Sequence, residues 1–509
     1  MKKLSMFASL LCVLILLSCG NSRDNANKGK GTVTVSVNMV VKTLDPHDIS
    51  SLVQNQLHRQ MYETFFFLDD FTKQYEPRLA TQYEVSPDGK VYTFTLRPNV
   101  KFHNGEIMKA SDVVYSYQRA MKNPTLNTFT SMIDTVEAKG DDAVVITLKK
   151  PFAPFLHHTT NINIISQKAA EALGDSLGTT SEDAGTGPYK MTSYKPDTLI
   201  KMTAFDDYYR GKPAIKTLDI KPIVDASTGL VALENGEIDY YSIPLANWKE
   251  VVDSGKFTTK IIPSNHITYL LLNPNRGALK NPDVRKAIAY AIDRDAINVA
   301  AYEGLAKVAY HMLNPDYVFG APAEDEGVVY KYDLAKSKEY LVKAGYPNGV
   351  DIGVLTTLAG TYFDKAAQVI QATLATAGIS MKVAAMEQGA LISAMMKGEY
   401  DLIVSGYACQ MDYDFFATLT YTQGNDASLA KFKGSDVDYA AIDQLFDKGA
   451  AEMDPEQRKA IYKELDSRIM DTAVWDPLFH KANTLAWKKN LETKVYANYY
   501  YVYDWKWQP

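Results

Sequence analysis

Between Phe363 and Val404 the apolar pattern changes period three times, which restricts the fold more than any other stretch. Phe363, Ala367, Ile370, Leu374 and Ala377 fall on one helix face. Gly378 follows, where a helix commonly ends in positive φ. Ile379, Met381 and Val383 then alternate as a strand does. A short helix is expected near Leu391 to Lys397, and Leu402-Ile403-Val404 reads as a further strand. Helix, strand, helix, strand predicts an α/β chain, a sheet covered by helices. Other segments carry local punctuation. Thr32 to Val37 alternates, and Ser86-Pro87-Asp88-Gly89 supplies a turn before the alternating Val91 to Leu96. Asn281 caps a helix with Pro282 in its first turn and Asp283 at its positive end, and Val284, Ile288 and Ile292 form the buried stripe. Ser111 or Asp112 starts another, carrying Val113, Val114 and Tyr117 inward. Asp333 caps a third, which ends at Ala344-Gly345 before Pro347.

The first residues indicate export. Lys2 and Lys3 precede Met6 to Leu17, an apolar run the length of a signal-peptide core and too short to span a bilayer comfortably. Leu16-Leu17-Ser18-Cys19 resembles the bacterial lipobox, in which the cysteine carries the lipid; an ordinary signal peptide with incidental cysteines is the plainer alternative. Residues 1–18 are then the leader. Residues 19–31, polar and rich in Gly and Asn, form a tether unable to bury apolar surface. Of three cysteines, Cys12 lies in the leader and Cys19 is the lipid site. Cys409 alone is left, too few for an internal disulfide or a cysteine zinc site. The formal charge of -6 becomes -8 once Lys2 and Lys3 are removed, a poor match to nucleic acid. No other apolar run approaches spanning length.

Catalytic patterns are scarce. There is no Gly-x-Ser-x-Gly elbow, no His-Glu-x-x-His and no phosphate loop. Gly185-Thr186-Gly187-Pro188-Tyr189 lacks the Lys-Ser/Thr ending, and Pro188 removes a backbone donor. His157 and His158 are adjacent, so on regular structure their rings point apart. His47, His103 and His266 have no ligand spacing. All five read as surface or satisfied histidines. The expectation is no catalytic residues, no metal and no cofactor, in a monomer.

An ordered series of segments resembles one family, the peptide- and nickel-type solute-binding proteins (family 5) of bacterial ABC importers. Thr43-Leu44-Asp45-Pro46 opens it. Tyr62-Glu63-Thr64-Phe65 and Pro77-Arg78-Leu79-Ala80 follow. Ser86 to Asp112, SPDGKVYTFTLRPNVKFHNGEIMKASD, is the strongest piece. Gly185 to Tyr189, Tyr208 to Pro213, Asn235 to Asp239, Val284 to Ile288 and Tyr332 to Lys336 continue in the right order. The resemblance implies a two-lobed periplasmic-binding-protein fold of type II, in the peptide-binding cluster, with an additional α+β domain. By that pattern residues 32–60, 188–265 and 481–509 form lobe I, residues 61–187 the extra domain and residues 266–480 lobe II. The chain would cross between lobes near Asn265 to Tyr269 and near His480.

The resemblance also implies a ligand held between the lobes and delivered to permease and ATPase subunits. A peptide is the main expectation; a nickel chelate, haem or a glycan-derived peptide is the alternative within the same fold. The family's amine-binding segment matches Gly406 to Phe416, so Tyr407, Gln410, Asp412 and Asp414 are the candidate ligand contacts, just after a strand expected to stop at Ser405. The amine-binding Asp position holds Gln410, which leaves Asp412 as its replacement. The carboxylate-binding Arg of dipeptide binders is missing from Leu355 to Tyr362. Tyr407, Tyr413 and Tyr421 are further expected to line the cleft.

Overall fold

A computed structural model describes residues 31–48, 51–420, 434–497 and 499–509. Cys19, the leader, most of the tether and Tyr421 lie outside them. The period changes appear as read. Helix Tyr362–Thr376 buries Phe363, Ala367, Ile370 and Leu374. Gly378 follows with φ of 87°, then strand Ile379–Met386. Strand Val350–Leu358 pairs in parallel with Ile379–Met386 on one side and Leu402–Ala408 on the other. The caps are equally local. Asn281 accepts from the Asp283 N–H at 2.9 Å and Asp333 from the Lys336 N–H at 3.0 Å. The helix expected from Ser111 begins one residue earlier, at Ala110, because the Asp112 carboxylate accepts the Lys109 N–H at 3.0 Å.

One 11-stranded sheet runs through both lobes. Its order is Ile379–Met386, Val350–Leu358, Leu402–Ala408, Phe257–Leu272, Trp475–Lys488, Tyr240–Ser242, Thr32–Val37, Thr217–Pro222, Leu199–Ala204 and Tyr189–Lys195, with Lys307–Val308 added beside Trp475–Lys488. Leu270, Leu355, Ile370 and Phe479 share one core on the lobe II part, while Tyr269, Ile403 and Tyr413 share another. The lobe I part buries Val33, Val35, Leu218 and Trp505.

The extra domain has its own antiparallel sheet, ordered Ala80–Val85, Val91–Leu96, Ala143–Leu148 and Ile133–Lys139. The expected hairpin closes through Gly89, whose N–H donates to Ser86 O at 2.8 Å. Phe65, Phe94, Tyr117 and Phe155 fill the core of this domain. Gly185-Thr186-Gly187 lies against the end of helix Leu52–Met61. A Cβ on Gly187 would meet the Met61 carbonyl carbon at 2.5 Å, so only glycine fits this contact, and the segment's part in the fold is structural.

Two strands are long enough to belong to both lobes: Phe257–Leu272, of 16 residues, and Trp475–Lys488, of 14. They pair antiparallel almost throughout. The ladder shifts register twice, by one residue between Thr268 opposite Phe479 and Tyr269 opposite Pro477 and, more widely, near the middle, from Pro263 opposite Ala482 to Ile267 opposite His480. Ser264, Asn265 and His266 therefore face the single Lys481, as a β-bulge. Pro263 has no N–H to give the ladder. The gap is bridged otherwise: Ser264 Oγ donates to Lys481 O at 2.8 Å, and Asn265 O accepts the Cys409 N–H at 3.0 Å. On the lobe II side, buried Arg294 ties the crossing strand down. It pairs with Asp476 and donates to Pro477 O and Tyr330 O at 2.9 and 3.1 Å.

Candidate functional site

Helix Leu52–Met61 starts at Ser51, whose hydroxyl accepts the Gln54 N–H at 3.2 Å, and buries Leu57 and Met61 in lobe I. Its opposite face borders three cavities. Asn55 and Arg59 line a polar cavity of about 30 Å³ together with Glu63, Arg78 and Tyr501. Asn55, Gln56 and Arg59 line a second, of about 70 Å³, with Asp70, His157, Asn265, Gln410 and Tyr499. Val53 and Gln56 line a third, an open cleft of about 800 Å³. Ser36 to Asn38 and Tyr241 to Ala246, which the expected division puts in lobe I, and Glu303 and Gly360 to Lys365, which it puts in lobe II, form the walls of this cleft. Val53, Gln56 and Arg59 are spaced by three residues, so one stripe of the helix touches all three spaces. Asn265 and Lys481, from opposite sides of the broken ladder, line the second and third.

Two cations on these walls have no acidic partner among the described residues. The Arg59 guanidinium lies 4.4 Å above the Tyr499 ring centroid and 6.0 Å from that of Phe67. The Lys481 ammonium lies 5.8 Å from the Tyr362 ring, and burial lowers its pKa. Both are half-buried; fully buried cations are paired, as Arg285 is with Asp436 and Arg294 with Asp476. Glu63 is the acid of the first cavity. It accepts from the Tyr208 and Tyr209 hydroxyls at 2.7 and 3.1 Å, while Oε2 is buried without a partner. Burial pushes its carboxyl up to about 7 against the opposing charge of Arg78.

The four residues singled out in the sequence occupy different settings. The strand expected to end at Ser405 continues to Ala408, because His266 to Thr268 still pair with Ala408 to Gly406. Tyr407 is thus inside the strand rather than in the loop after it. Its ring stacks on Phe415 at 6.0 Å and its hydroxyl bonds the Thr418 hydroxyl at 3.1 Å. Gln410 lines the 70 Å³ cavity with His157. Asp412 is buried, and both carboxylate oxygens accept from Arg458 at 2.7 Å. Burial alone would raise its pKa, but Arg458 outweighs that and holds the carboxyl low. The pair lines an apolar pocket of about 230 Å³ behind Met411. Asp414 is half-buried; burial, then the Asp412 charge, push its carboxyl up to about 7.

One expectation about the side chains needs correction. Tyr413, expected in the cleft, is fully buried. Its hydroxyl donates to Asp466 at 3.0 Å and its ring stacks on Tyr462 at 5.0 Å. The adjacent histidines are both buried, with rings 6.3 Å apart and different surroundings: His158 packs on Phe152 while His157 faces the cavity. His47 is interior too, and its ring bonds Asn163 O at 2.9 Å. Arg59, Lys481 and Asn265 are functional candidates that the sequence reading missed. Arg59 looks like any polar position on an amphipathic helix, and its seat over Tyr499, with no ion pair to the Glu63 and Asp70 that line the same cavities, is a tertiary fact. The described residues hold no group of three or more His, Cys, Asp or Glu side chains able to hold a metal ion, and no helix long and apolar enough to cross a membrane.

The family model for bacterial extracellular solute-binding proteins, family 5 Middle, matches residues 74–428. The glutathione-binding protein GsiB of Pectobacterium atrosepticum is 29% identical over 464 residues, covering 87% of each chain. Among solved structures, HbpA2 from Haemophilus parasuis aligns with a TM-score of 0.83 at 26% identity, covering 94% of this chain and 100% of that one. DppA from Helicobacter pylori, in complex with the peptide STSA, aligns at 0.76 with 26% identity, covering 94% and 98%.

Glu63 sets a pH dependence whose sign is fixed. The folded chain keeps the Glu63 proton to about pH 7, whereas the unfolded chain releases it near the ordinary carboxyl value of 4.5. Between these values the folded state binds more protons, so stability is lost as pH rises. Glu63→Gln stays neutral throughout. The stability of wild type minus that of Glu63→Gln should therefore fall between pH 4.5 and 7, by on the order of 2–3 kcal/mol. Urea denaturation of both proteins at four pH values reads this; a difference independent of pH refutes it.

Proposed function

The chain belongs to the bacterial extracellular solute-binding proteins, family 5, and we propose that it captures short peptides between its lobes and delivers them to an ABC importer. Arg59 carries the reading. It is a cation with no ion pair among the described residues, held over Tyr499 in a cavity to which both lobes contribute. A peptide carboxylate is the natural partner of such a group. Asn55, Asn265 and Gln410 surround it with amide donors and acceptors suited to a peptide backbone. The peptide in the DppA complex and the glutathione in the name of GsiB support this ligand class.

Gln410 is assigned to direct contact. Tyr407, Asp412 and Asp414 act from behind it, with Asp412 and Arg458 fixing the loop. The division into residues 32–60, 188–265 and 481–509, residues 61–187, and residues 266–480 is retained as the working description of the moving parts. The bulge opposite Lys481 is the hinge. A ligand that touches both walls stabilises the closed state by the contacts it makes only there. Transport energy comes from a separate ATPase.

A titration tests the carboxylate contact. Wild type should bind a tripeptide with a free C-terminus about ten- to a hundredfold more tightly than its C-terminal amide, the range for one charge-assisted contact. Arg59→Gln should bind the two alike. A preference that survives in Arg59→Gln would move the carboxylate elsewhere. The anchor is tested separately. Cys19 is assigned the lipid, so Cys19→Ser should lose palmitate labelling and leave the membrane fraction; unchanged labelling would refute lipidation.

A further inference from the structure

We propose that the cleft holds its ligand by two anions, one on Arg59 and a second on Lys481, and so selects peptides of two or three residues that carry two carboxylates. This rests on the peptide reading and goes further by naming the class of peptide.

Lys481 is placed for such a role by the crossing itself. Its carbonyl accepts from Ser264 Oγ at 2.8 Å, so its backbone is fixed where the ladder is broken. The residues after it, Ala482 to Thr484, line the cleft from the lobe I side. Its own side chain reaches the lobe II wall, 5.8 Å from the ring of Tyr362. The ammonium is thus aimed across the cleft at the line where the two walls meet. Other charged groups on these walls are Glu303 and Lys365; neither forms an ion pair with Lys481. Later lysines on the same run of chain are paired, Lys488 with Asp239 and Lys494 with Asp69 at 3.1 Å. A cation removed from water without a counter-ion is costly, and a ligand anion offsets that cost. The low pKa of the Lys481 ammonium is the same cost seen in another way.

Arg59 answers it from the other end of the stripe. Val53 lines the same cleft as Lys481, and Arg59 lines the two smaller cavities. Six residues of helix separate them, about 9 Å at 1.5 Å per residue. An extended peptide advances about 3.3–3.6 Å per residue, so two or three residues cover that span. Gln56, between them, lines both spaces and offers an amide to the middle of the chain.

Titration calorimetry with wild type and Lys481→Gln decides the matter. The probes are reduced glutathione, a tripeptide with two carboxylates, its glycine monoethyl ester and trialanine, each of the latter with one. Wild type should bind glutathione about ten- to a hundredfold more tightly than the ester or trialanine. Lys481→Gln should lose that advantage while keeping its affinity for trialanine, and Lys481→Arg should retain it. If wild type binds trialanine as tightly as glutathione, the two-anion clamp is overturned and peptide capture stands. If glutathione keeps its advantage in Lys481→Gln, Lys481 is overturned as the second site. Binding of none of the three overturns both readings. The wild-type comparison needs no variant, so a folding defect in Lys481→Gln does not shield the proposal.

Discussion

Everything in this molecule depends on one broken ladder. Phe257–Leu272 and Trp475–Lys488 form the antiparallel pair on which the other strands of the sheet are assembled. A continuous ladder of that length would make the lobes a single stiff body. Three residues opposite one, with Pro263 at the edge, interrupt the backbone bonds where the two halves of the sheet join. What replaces them is sparse: the bond from Ser264 to Lys481 O and that from Cys409 to Asn265 O. On either side the strands are locked, by Arg294 and Asp476 on one and by Thr484 Oγ1 on Ile243 O at 2.6 Å on the other. The break is where small changes in φ and ψ are cheapest, as hinges require.

The same break puts chemistry in the cleft. Asn265 and Lys481 reach the cavities because the bulge turns them out of the regular alternation. Close by, electrostatics is handled in two ways. Asp412 and Arg458 satisfy each other in a bidentate pair, with the Tyr462 hydroxyl as a third partner of the guanidinium at 2.7 Å. Such a group is structural, because a ligand would have to break it before using it. Arg59 and Lys481 rest on aromatic rings instead, which orient a cation and leave its hydrogen-bonding capacity free. On the proposed function, that difference is the reason for assigning ligand recognition to the two cations rather than to Asp412.

The sequence was legible where structure is local. The face from Phe363 to Leu374, the turn at Gly89 and the caps Asn281 and Asp333 depend on residues a few positions apart, and all appear as read. The ordered motifs likewise fixed the family, although most of their residues, such as Gly187 and Tyr92, serve packing. The site was much less legible, for a physical reason. Tyr499 lies hundreds of residues beyond Arg59, and Arg458 lies 46 beyond Asp412 on a different helix, so neither pairing has a signature in spacing. Tyr407 was assigned to a loop because the apolar run ends at Val404, yet Ile267 extends the strand by pairing with it. Tyr413 resembled its neighbours in sequence, but the buried acceptor Asp466 draws it into the core.

The central claim is that a ligand bridging the walls closes the lobes about the bulge. Spin labels at Val224→Cys and Lys365→Cys, both exposed positions on opposite walls of the cleft, measure this directly. Protein beginning at Gly31 lacks Cys12 and Cys19, and its Cys409 is buried and stays unlabelled. Pulsed electron resonance distances should shorten and narrow on addition of saturating glutathione, or of whichever peptide calorimetry shows to bind. A distance distribution that is the same with the peptide bound and absent would contradict the account.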